Sequence, residues 1–359
     1  MKTYLLTGCA GFIGTNFVYH MLKTYPDIQL INLDKLTYAG NLENLRDCEG
    51  DPRHIFVQGD IGDRELVSRL FEQYPIDYVI NFAAESHVDR SIKHPEVFVE
   101  TNVLGTVNLL QCARLAWYRD NQWALGKKFL QVSTDEVYGT LGEDGYFMET
   151  TPLSPHSPYS ASKASADMFV QAFHDTYGMP VNITRCSNNY GPYQFPEKLI
   201  PLMIHNAQTH QALPVYGDGM QVRDWLYVAD HCKAIDLVCR QGRDGEVYNV
   251  GGHNEHPNLY IVKTILAQLQ DRLQDAGINE SLIHHVTDRL GHDRRYGIDP
   301  QKIMRDLGWA PETPFAEGIV KTIDWYLAHE DWVAHIVSGQ YQGYYTDMYQ
   351  QRLAQQSEA

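Results

Sequence analysis

Gly8-Cys9-Ala10-Gly11-Phe12-Ile13-Gly14 follows an apolar run, Thr3–Thr7, and opens an amphipathic one, Ile13–Tyr25. Glycines at these places permit a tight turn and let backbone approach a pyrophosphate, which then rests on a helix N-terminus. Such a pattern gains its weight from context, here a strand before it and a helix after it. The bland reading is a structural glycine turn. Asp34 ends the next apolar run, 20 residues past Gly14. A carboxylate there accepts hydrogen bonds from ribose hydroxyls and repels a 2′-phosphate, so NAD is expected rather than NADP. Gly59-Asp60-Ile61 closes the third run. Asp60 either holds the adenine amino group or N-caps the segment starting near Asp63; both readings stand. Ala83-Ala84-Glu85-Ser86-His87-Val88-Asp89 closes the fourth. Its small residues let the chain pass close to a cofactor, and Ser86 and His87 would face the crevice where open sheets bind ligands.

Outward from the glycine turn, apolar runs and amphipathic ones alternate. Strands are expected at Thr3–Thr7, Ile28–Leu33, Ile55–Gln58, Tyr78–Phe82, Phe129–Ser133 and Val181–Arg185. Helices are expected near Ile13–Tyr25, Arg64–Tyr74, Glu96–Tyr118 and Pro158–Tyr177. Near-continuous apolar strands alternating with helices mean a parallel sheet covered on both faces. The fold class expected is α/β, a doubly wound (Rossmann) sheet with a smaller C-terminal region. Residues 1–185 form the cofactor domain and residues 186–359 mainly bind substrate. Leu226–Arg240 and Glu246–Val250 would return a helix and a strand to the sheet. From Asp331 the chain is polar and tyrosine-rich, and Gln355–Ala359 is expected to fray.

Composition sets limits. With 45 acidic against 29 basic residues the net charge is −16, which argues against binding nucleic acid, because phosphate backbones select a basic face. A small phosphorylated ligand needs only local positive charge. No early segment resembles a signal peptide and no apolar run is long enough to span a membrane. The six cysteines form no CxxC pair, so buried free thiols in a reducing compartment, the cytoplasm, are expected. The 16 histidines fall into no recognised metal spacing, and no metal is expected.

The chemistry concentrates in two stretches. Ser133-Thr134-Asp135-Glu136-Val137-Tyr138-Gly139 carries a hydroxyl followed by two carboxyls; Tyr159-Ser-Ala-Ser-Lys163 places a tyrosine and a lysine on one helical face. A nearby ammonium lowers a phenol pKa, which makes Tyr159 a candidate base for a hydroxyl proton. Paired carboxyls of unequal pKa act as one acid and one base. The combination points to alcohol oxidation followed by proton transfer on the same substrate. In a regular strand Thr134 and Asp135 would face opposite ways, so both meet a substrate only if the backbone leaves the strand there. The bland reading of Asp135-Glu136 is a solvated acidic pair.

These motifs resemble the extended short-chain dehydrogenase/reductase superfamily. Further stretches narrow the likeness: Asp34–Asn41, Ala83–Ser91, Thr134-Asp135-Glu136, Arg185–Pro201 and Arg223–Tyr227 look like the dTDP-glucose 4,6-dehydratase family. The likeness runs from residue 1 to about Trp332. Two departures stand out: Cys9 replaces a further glycine, tolerable if its φ is negative, and Leu290 replaces a proline in a turn near the nucleotide.

The resemblance implies that dTDP-glucose becomes dTDP-4-keto-6-deoxyglucose in a deoxysugar (rhamnose-type) pathway. In that cycle Tyr159 takes the C4 hydroxyl proton while hydride passes to NAD. Lys163 binds the nicotinamide ribose and keeps Tyr159 acidic, and Thr134 hydrogen-bonds the C4 oxygen. Glu136 removes the C5 proton, Asp135 protonates the leaving C6 hydroxyl, hydride returns to C6, and C5 is reprotonated. The resemblance also implies an NAD site of Gly8, Gly11, Phe12, Ile13, Gly14, Asp34, Lys35, Leu36, Thr37, Asp60, Ile61, Ala83, Ala84, Ser86, Thr101, Tyr159, Lys163 and Asn189. Ser86, His87, Thr134, Asn188, Lys198, Leu199, Arg223, Asn258, Arg289 and His292 would meet the sugar nucleotide, with Pro214-Val215-Tyr216 against its base. Arginine suits phosphate through its bidentate fork. The helices Glu96–Tyr118 and Pro158–Tyr177 would pair across a two-fold into a four-helix bundle, giving a homodimer. The rival readings are a UDP-hexose 4-epimerase or a dehydratase for another nucleotide sugar, and a non-enzymatic NAD-binding regulator. The first rival has no need of the carboxyl pair.

Overall fold

The computed structural model describes residues 1–337. Its centre is a seven-stranded sheet, parallel throughout. From one edge to the other its strands are Val247–Val250, Val181–Cys186, Lys128–Thr134, Tyr78–Asn81, Lys2–Thr7, Ile28–Asp34 and His54–Gln58. The strand order reverses between Lys2–Thr7 and Tyr78–Asn81, and the crevice at such a switch point is where doubly wound sheets take ligands.

Both faces are covered, as the apolar strands require. On one face the helices Phe12–Thr24 and Val228–Gln241 bury Phe17, Val18, Ile235 and Val238 against Leu6, Leu30 and Leu130. On the other, the helices Arg64–Gln73, Thr106–Trp117 and Pro158–Tyr177 bury Val67, Leu70, Leu109, Leu110 and Val170 against Leu5, Ile31 and Phe129. A third core lies in the C-terminal part. There the helices Leu199–Gln208, Asn258–Leu273, Phe315–Ala328 and Glu330–Val337 close over the paired strands Leu213–Tyr216 and Ile283–Val286. A three-stranded sheet of Asn188–Tyr190, Val222–Tyr227 and Glu255–Pro257 links that part to the main sheet.

The six expected strands form within a residue of their expected ends. The helix Val228–Gln241 and the strand Val247–Val250 return to the sheet. Two expectations are corrected. The helix foreseen over Glu96–Tyr118 is not uniform. Residues Val99–Gly105 form a π turn between helical segments Pro95–Phe98 and Thr106–Trp117, a distortion that recurs at functional sites. The chain from Asp331 is not merely polar tail: Glu330–Val337 is helical and buries Trp332 and Val333. The fraying expected at Gln355–Ala359 lies outside the described residues.

Helix Pro158–Tyr177 has complete end chemistry. Ser157 and Ser160 form a reciprocal capping box, Pro158 occupies the first turn, and Gly178 closes the helix in the left-handed conformation. These devices fix where the helix starts, and hence where Tyr159 and Lys163 stand.

Candidate active site

A cleft of about 310 Å³ opens at the switch point, lined from Gly8 to Lys198. Its floor is the glycine turn. Gly8 has φ +71°, and a Cβ there would sit 2.6 Å from the Ala83 Cα. Only glycine lets these two backbones meet. Gly11 starts helix Phe12–Thr24 with no side-chain cap and no acidic residue in its first turn. The first-turn N–H groups of Phe12 and Ile13 therefore face an open, anion-favouring end. Cys9 does not have a positive φ and is fully buried. A Cβ on Gly14 would come within 2.5 Å of the Cys9 Cα, so Gly14 makes the room that Cys9 fills.

Asp34 stands at the strand end, where it accepts the N–H of Ala10 at 2.8 Å and that of Leu36 at 2.8 Å. A carboxylate has about four acceptor positions, which leaves capacity for two ribose hydroxyls. Asp60 pairs with Lys35 at 2.7 Å. It does not cap the following helix; Asp63 does, accepting from the Leu66 N–H at 3.0 Å. The N-cap alternative for Asp60 is thus removed, and Asp60 lines the cleft with Gly59 and Ile61. Thr37, Ala83, Ala84, Ser86, Thr101, Asn188 and Asn189 line it too. Thr101 comes from the π turn. Beside it, Asn102 clasps the backbone of Glu85, accepting its N–H at 2.8 Å and donating to its carbonyl at 3.0 Å. Leu36, with φ +57°, lies outside the cleft wall and packs against the first core.

At the chemistry end the strand stops at Thr134, and Asp135–Tyr138 turns as a 3₁₀ helix. Thr134 caps that turn by accepting the N–H of Glu136 at 3.3 Å. The backbone leaves the strand where the two carboxyls need it to, and Thr134, Asp135, Glu136, Tyr159 and Lys163 all meet in the cleft. Asp135 is 1% exposed. It accepts from the Thr134 hydroxyl at 3.3 Å, and its Oδ2 has no partner among the described residues. Burial, then the charges of Glu136 and Asp224, push its pKa well up, outweighing Arg223. Glu136 is half-buried. Burial raises its pKa as well, but Arg289, Arg223 and Lys198 pull against the rise.

The Tyr159–Lys163 pair departs from expectation. The Lys163 ammonium donates to the Val132 carbonyl at 2.7 Å, and burial lowers its pKa against the opposing charge of Asp167. Burial and the charge of Glu136 drive the Tyr159 phenol up rather than down, with the Thr134 hydroxyl acting the other way. The shared helical face was correctly expected; the acidifying contact is absent from this arrangement.

The residues expected to meet the nucleotide come from separate segments. Lys198 lines the cleft and donates to the Ser86 carbonyl at 3.0 Å. Arg223 is buried, donates to the carbonyls of Val222 and Asp293, and stacks 4.1 Å from the Tyr296 ring centroid. Arg289, half-buried, leaves its Nε without a partner among the described residues. His292 pairs with Asp288 at 2.6 Å; burial, then the charge of Arg289, lowers its pKa to about 4. The Tyr216 hydroxyl donates to Asp89 at 3.2 Å, and its ring meets His292 edge-on.

Of these residues only Lys198 lines the cleft; Tyr216, Arg223, Arg289 and His292 lie outside its wall, as do the remaining expected contacts. Pro214 and Val215 are buried in the strand Leu213–Tyr216. Leu199 packs against the third core. Asn258 opens a helix, its N–H donated to the Gln221 carbonyl at 3.0 Å. His87 is buried at the start of a short helix. Sequence reading missed Gln194, Phe195 and Glu197, which line the cleft. Glu197 is buried, accepts from the Tyr38 hydroxyl at 3.0 Å, and has an unpartnered Oε2. An acidic residue beside a lysine in a turn carries no local signal of such burial.

Among the described residues no group of three or more His, Cys, Asp or Glu is placed to hold a metal ion.

A glycine-turn crevice whose far wall carries a Tyr-x-x-x-Lys helix defines a short-chain dehydrogenase/reductase, and the adjacent carboxyl pair marks it as a dehydratase type. A family model described as GDP-mannose 4,6 dehydratase matches residues 5–322. A dTDP-glucose 4,6-dehydratase of Xanthomonas campestris pv. campestris is 55% identical over 349 residues, covering 95% of this chain and 97% of the relative. The crystal structure of the dTDP-glucose 4,6-dehydratase of Streptomyces venezuelae with NAD bound superposes with a TM-score of 0.86 at 47% identity, over 93% of this chain and 99% of that one. A UDP-glucose 4-epimerase from Thermotoga maritima shares the fold, with a TM-score of 0.80 over 91% of this chain and 99% of that one, but is only 27% identical. The chain belongs to the GDP-mannose 4,6-dehydratase family and, within it, stands among the dTDP-glucose 4,6-dehydratases.

Proposed function

We propose that this protein is an NAD-dependent hydro-lyase that converts dTDP-glucose to dTDP-4-keto-6-deoxyglucose and water. The carrying observation is the backbone turn at Asp135, which brings two carboxyls of unlike environment beside Tyr159 and Lys163 in one cleft.

NAD, when bound, supplies a hydride acceptor and donor for C4 and C6 of the sugar. The glycine turn, the open start of helix Phe12–Thr24 and Asp34 are the features that fit it. Lys35, Thr37, Asp60, Ile61, Ala83, Ala84, Ser86, Thr101 and Asn189 would complete its site. Tyr159 would accept the proton of the C4 hydroxyl as a phenolate, which the Lys163 ammonium would stabilise on leaving the Val132 carbonyl, with the Thr134 hydroxyl on the same oxygen. A C4 ketone acidifies the C5–H, and Glu136 would remove that proton. Asp135 would hand its own proton to the departing C6 hydroxyl, releasing water. The electrostatics favour this division. Burial and the charges of two further carboxyls favour the protonated form of Asp135, whereas three cations favour the charged form of Glu136. The same cations, Lys198, Arg223 and Arg289, suit a sugar-nucleotide diphosphate.

Residues 1–185 with 226–250 would hold the cofactor, and the C-terminal part mainly the nucleotide. A homodimer fits the outer faces of two helical stretches. Val97, Val99, Leu104, Met168 and Phe169 are each more than a third exposed, while Leu110 and Val170 are buried against the sheet. Six free, buried cysteines suit a reducing compartment such as the cytoplasm. No described helix is long and apolar enough to cross a membrane.

Incubation with dTDP-glucose in deuterated water tests the assignment. The expected product is a 4-keto sugar nucleotide that absorbs in base and carries deuterium at C5. Plain conversion to the galactose epimer would overturn it.

A further inference from the structure

The glycine turn is held from behind by a side-chain relay that starts in the C-terminal helix. Ala10, fully buried between Gly8 and Gly11, has its peptide fixed at both ends. Its N–H donates to Asp34 at 2.8 Å. Its carbonyl accepts from the Asn41 N–H at 3.0 Å and from the Asn44 side-chain amide at 2.9 Å. Asn44 is 2% exposed, and its Oδ1 accepts the indole N–H of Trp332 at 2.7 Å. Trp332 lies 288 residues away in the chain. It belongs to the C-terminal core, against Trp325 and Tyr326.

The chemistry of the partners makes this a directional device. An indole N–H only donates, so it fixes the oxygen of the Asn44 amide toward Trp332. The amide NH₂ must then face the Ala10 carbonyl. Without the indole donor, Asn44 loses the contact that sets its orientation, and a flipped amide would put oxygen against oxygen at Ala10. The backbone of Asn44 is held separately, because its carbonyl accepts the Tyr19 hydroxyl. The side-chain amide is therefore the part that Trp332 controls.

We propose that Trp332 and Asn44 are positioning residues for the cofactor turn, so that docking of helix Glu330–Val337 sets the affinity of the glycine turn for a dinucleotide pyrophosphate. The inference rests on the reading of this cleft as an NAD site. It adds that a helix in the C-terminal core, touching neither reacting carboxyl, tunes cofactor retention. The exposed His335–Glu43 contact at 3.1 Å lies along the same seam and is a weaker part of the docking.

The test uses the full-length holoenzyme and its Trp332→Phe variant, which keeps an aromatic ring and removes the N–H. Bound NAD is measured after gel filtration, and its dissociation constant by calorimetric titration. Hydrogen exchange is followed in peptides covering residues 8–14. One hydrogen bond acting through one amide predicts roughly 2- to 10-fold weaker NAD binding. Exchange should be faster in the turn, and kcat at saturating NAD should fall by less than the affinity does. Asn44→Ser, which removes the amide by a second route, should weaken NAD binding similarly, and the double variant should be no worse than Asn44→Ser alone. A lower melting temperature with an unchanged NAD dissociation constant in both single variants would overturn the proposal, as would fully additive losses. Failure of the unmodified protein to bind NAD would instead overturn the cofactor reading itself.

Discussion

Replacing Asp135 by Asn separates the acid from the base. The Asp135 carboxyl is buried and crowded by Glu136 and Asp224, which favours its protonated form in the folded protein. Asn is nearly isosteric with that neutral acid. Its amide oxygen can keep the Thr134 contact now made at 3.3 Å. Asn cannot release a proton to the leaving C6 hydroxyl. Loss of one general acid costs about 10²- to 10⁴-fold in the step that uses it. The earlier C4 oxidation depends on Tyr159 and Thr134 and should survive. Rapid mixing with dTDP-glucose should therefore show reduced nicotinamide building up in the near-ultraviolet, with product formation slowed by that factor. Stability should not fall. A carboxyl whose folded pKa is raised contributes stability that is complete below its unfolded pKa and is lost as pH rises through the folded value. At neutral pH the substitution removes an ionisation that opposes folding, so the melting temperature should hold or rise. Unimpaired turnover, or a first step as slow as the second, would refute the assignment of Asp135.

Tyr159→Phe should stop chemistry one step earlier, with no reduced nicotinamide and a loss of about 10²- to 10⁴-fold, read by the same rapid mixing. Because burial raises the pKa of Glu136, activity should be lost as pH falls through a value above that of a free glutamate; the acid limb of kcat/KM reports it. Gly8→Ala forces a Cβ to within 2.6 Å of the Ala83 backbone at φ +71°. It should cost about 1–3 kcal/mol from strain alone, read in urea unfolding, and abolish NAD retention. Met168→Asp with Phe169→Asp places charge on the exposed helical face and should halve the mass seen by light scattering if that face pairs two copies.

Much of this was legible in the sequence because it is local. A strand, a glycine turn and a helix start are fixed by residues within a few positions of one another, so the crevice floor and Asp34 could be placed. The capping box and the Tyr159–Lys163 face follow from spacing on one helix. Leaving the strand at Asp135 was a requirement inferred from alternation, and the 3₁₀ turn meets it. Other features depended on neighbours far along the chain. Pro214 and Val215 look like nucleotide contacts by resemblance but are buried in the strand Leu213–Tyr216. Nothing near Lys163 announces that its ammonium goes to Val132. Trp332 lies in a stretch that reads as the start of a polar tail, because its partner Asn44 lies across the fold.

Spacing and turn chemistry alone determined the sheet, the cofactor turn and the set of groups able to move protons. Only the tertiary structure decided how strongly each carboxyl is pushed toward its neutral form. Asp135 and Glu136 are neighbours in sequence with the same kind of side chain. They differ because Asp135 feels the charge of Asp224, while Lys198, Arg223 and Arg289 act on Glu136 from separate segments. Burial and Coulomb interactions depend on distance in space, and sequence order does not carry that distance.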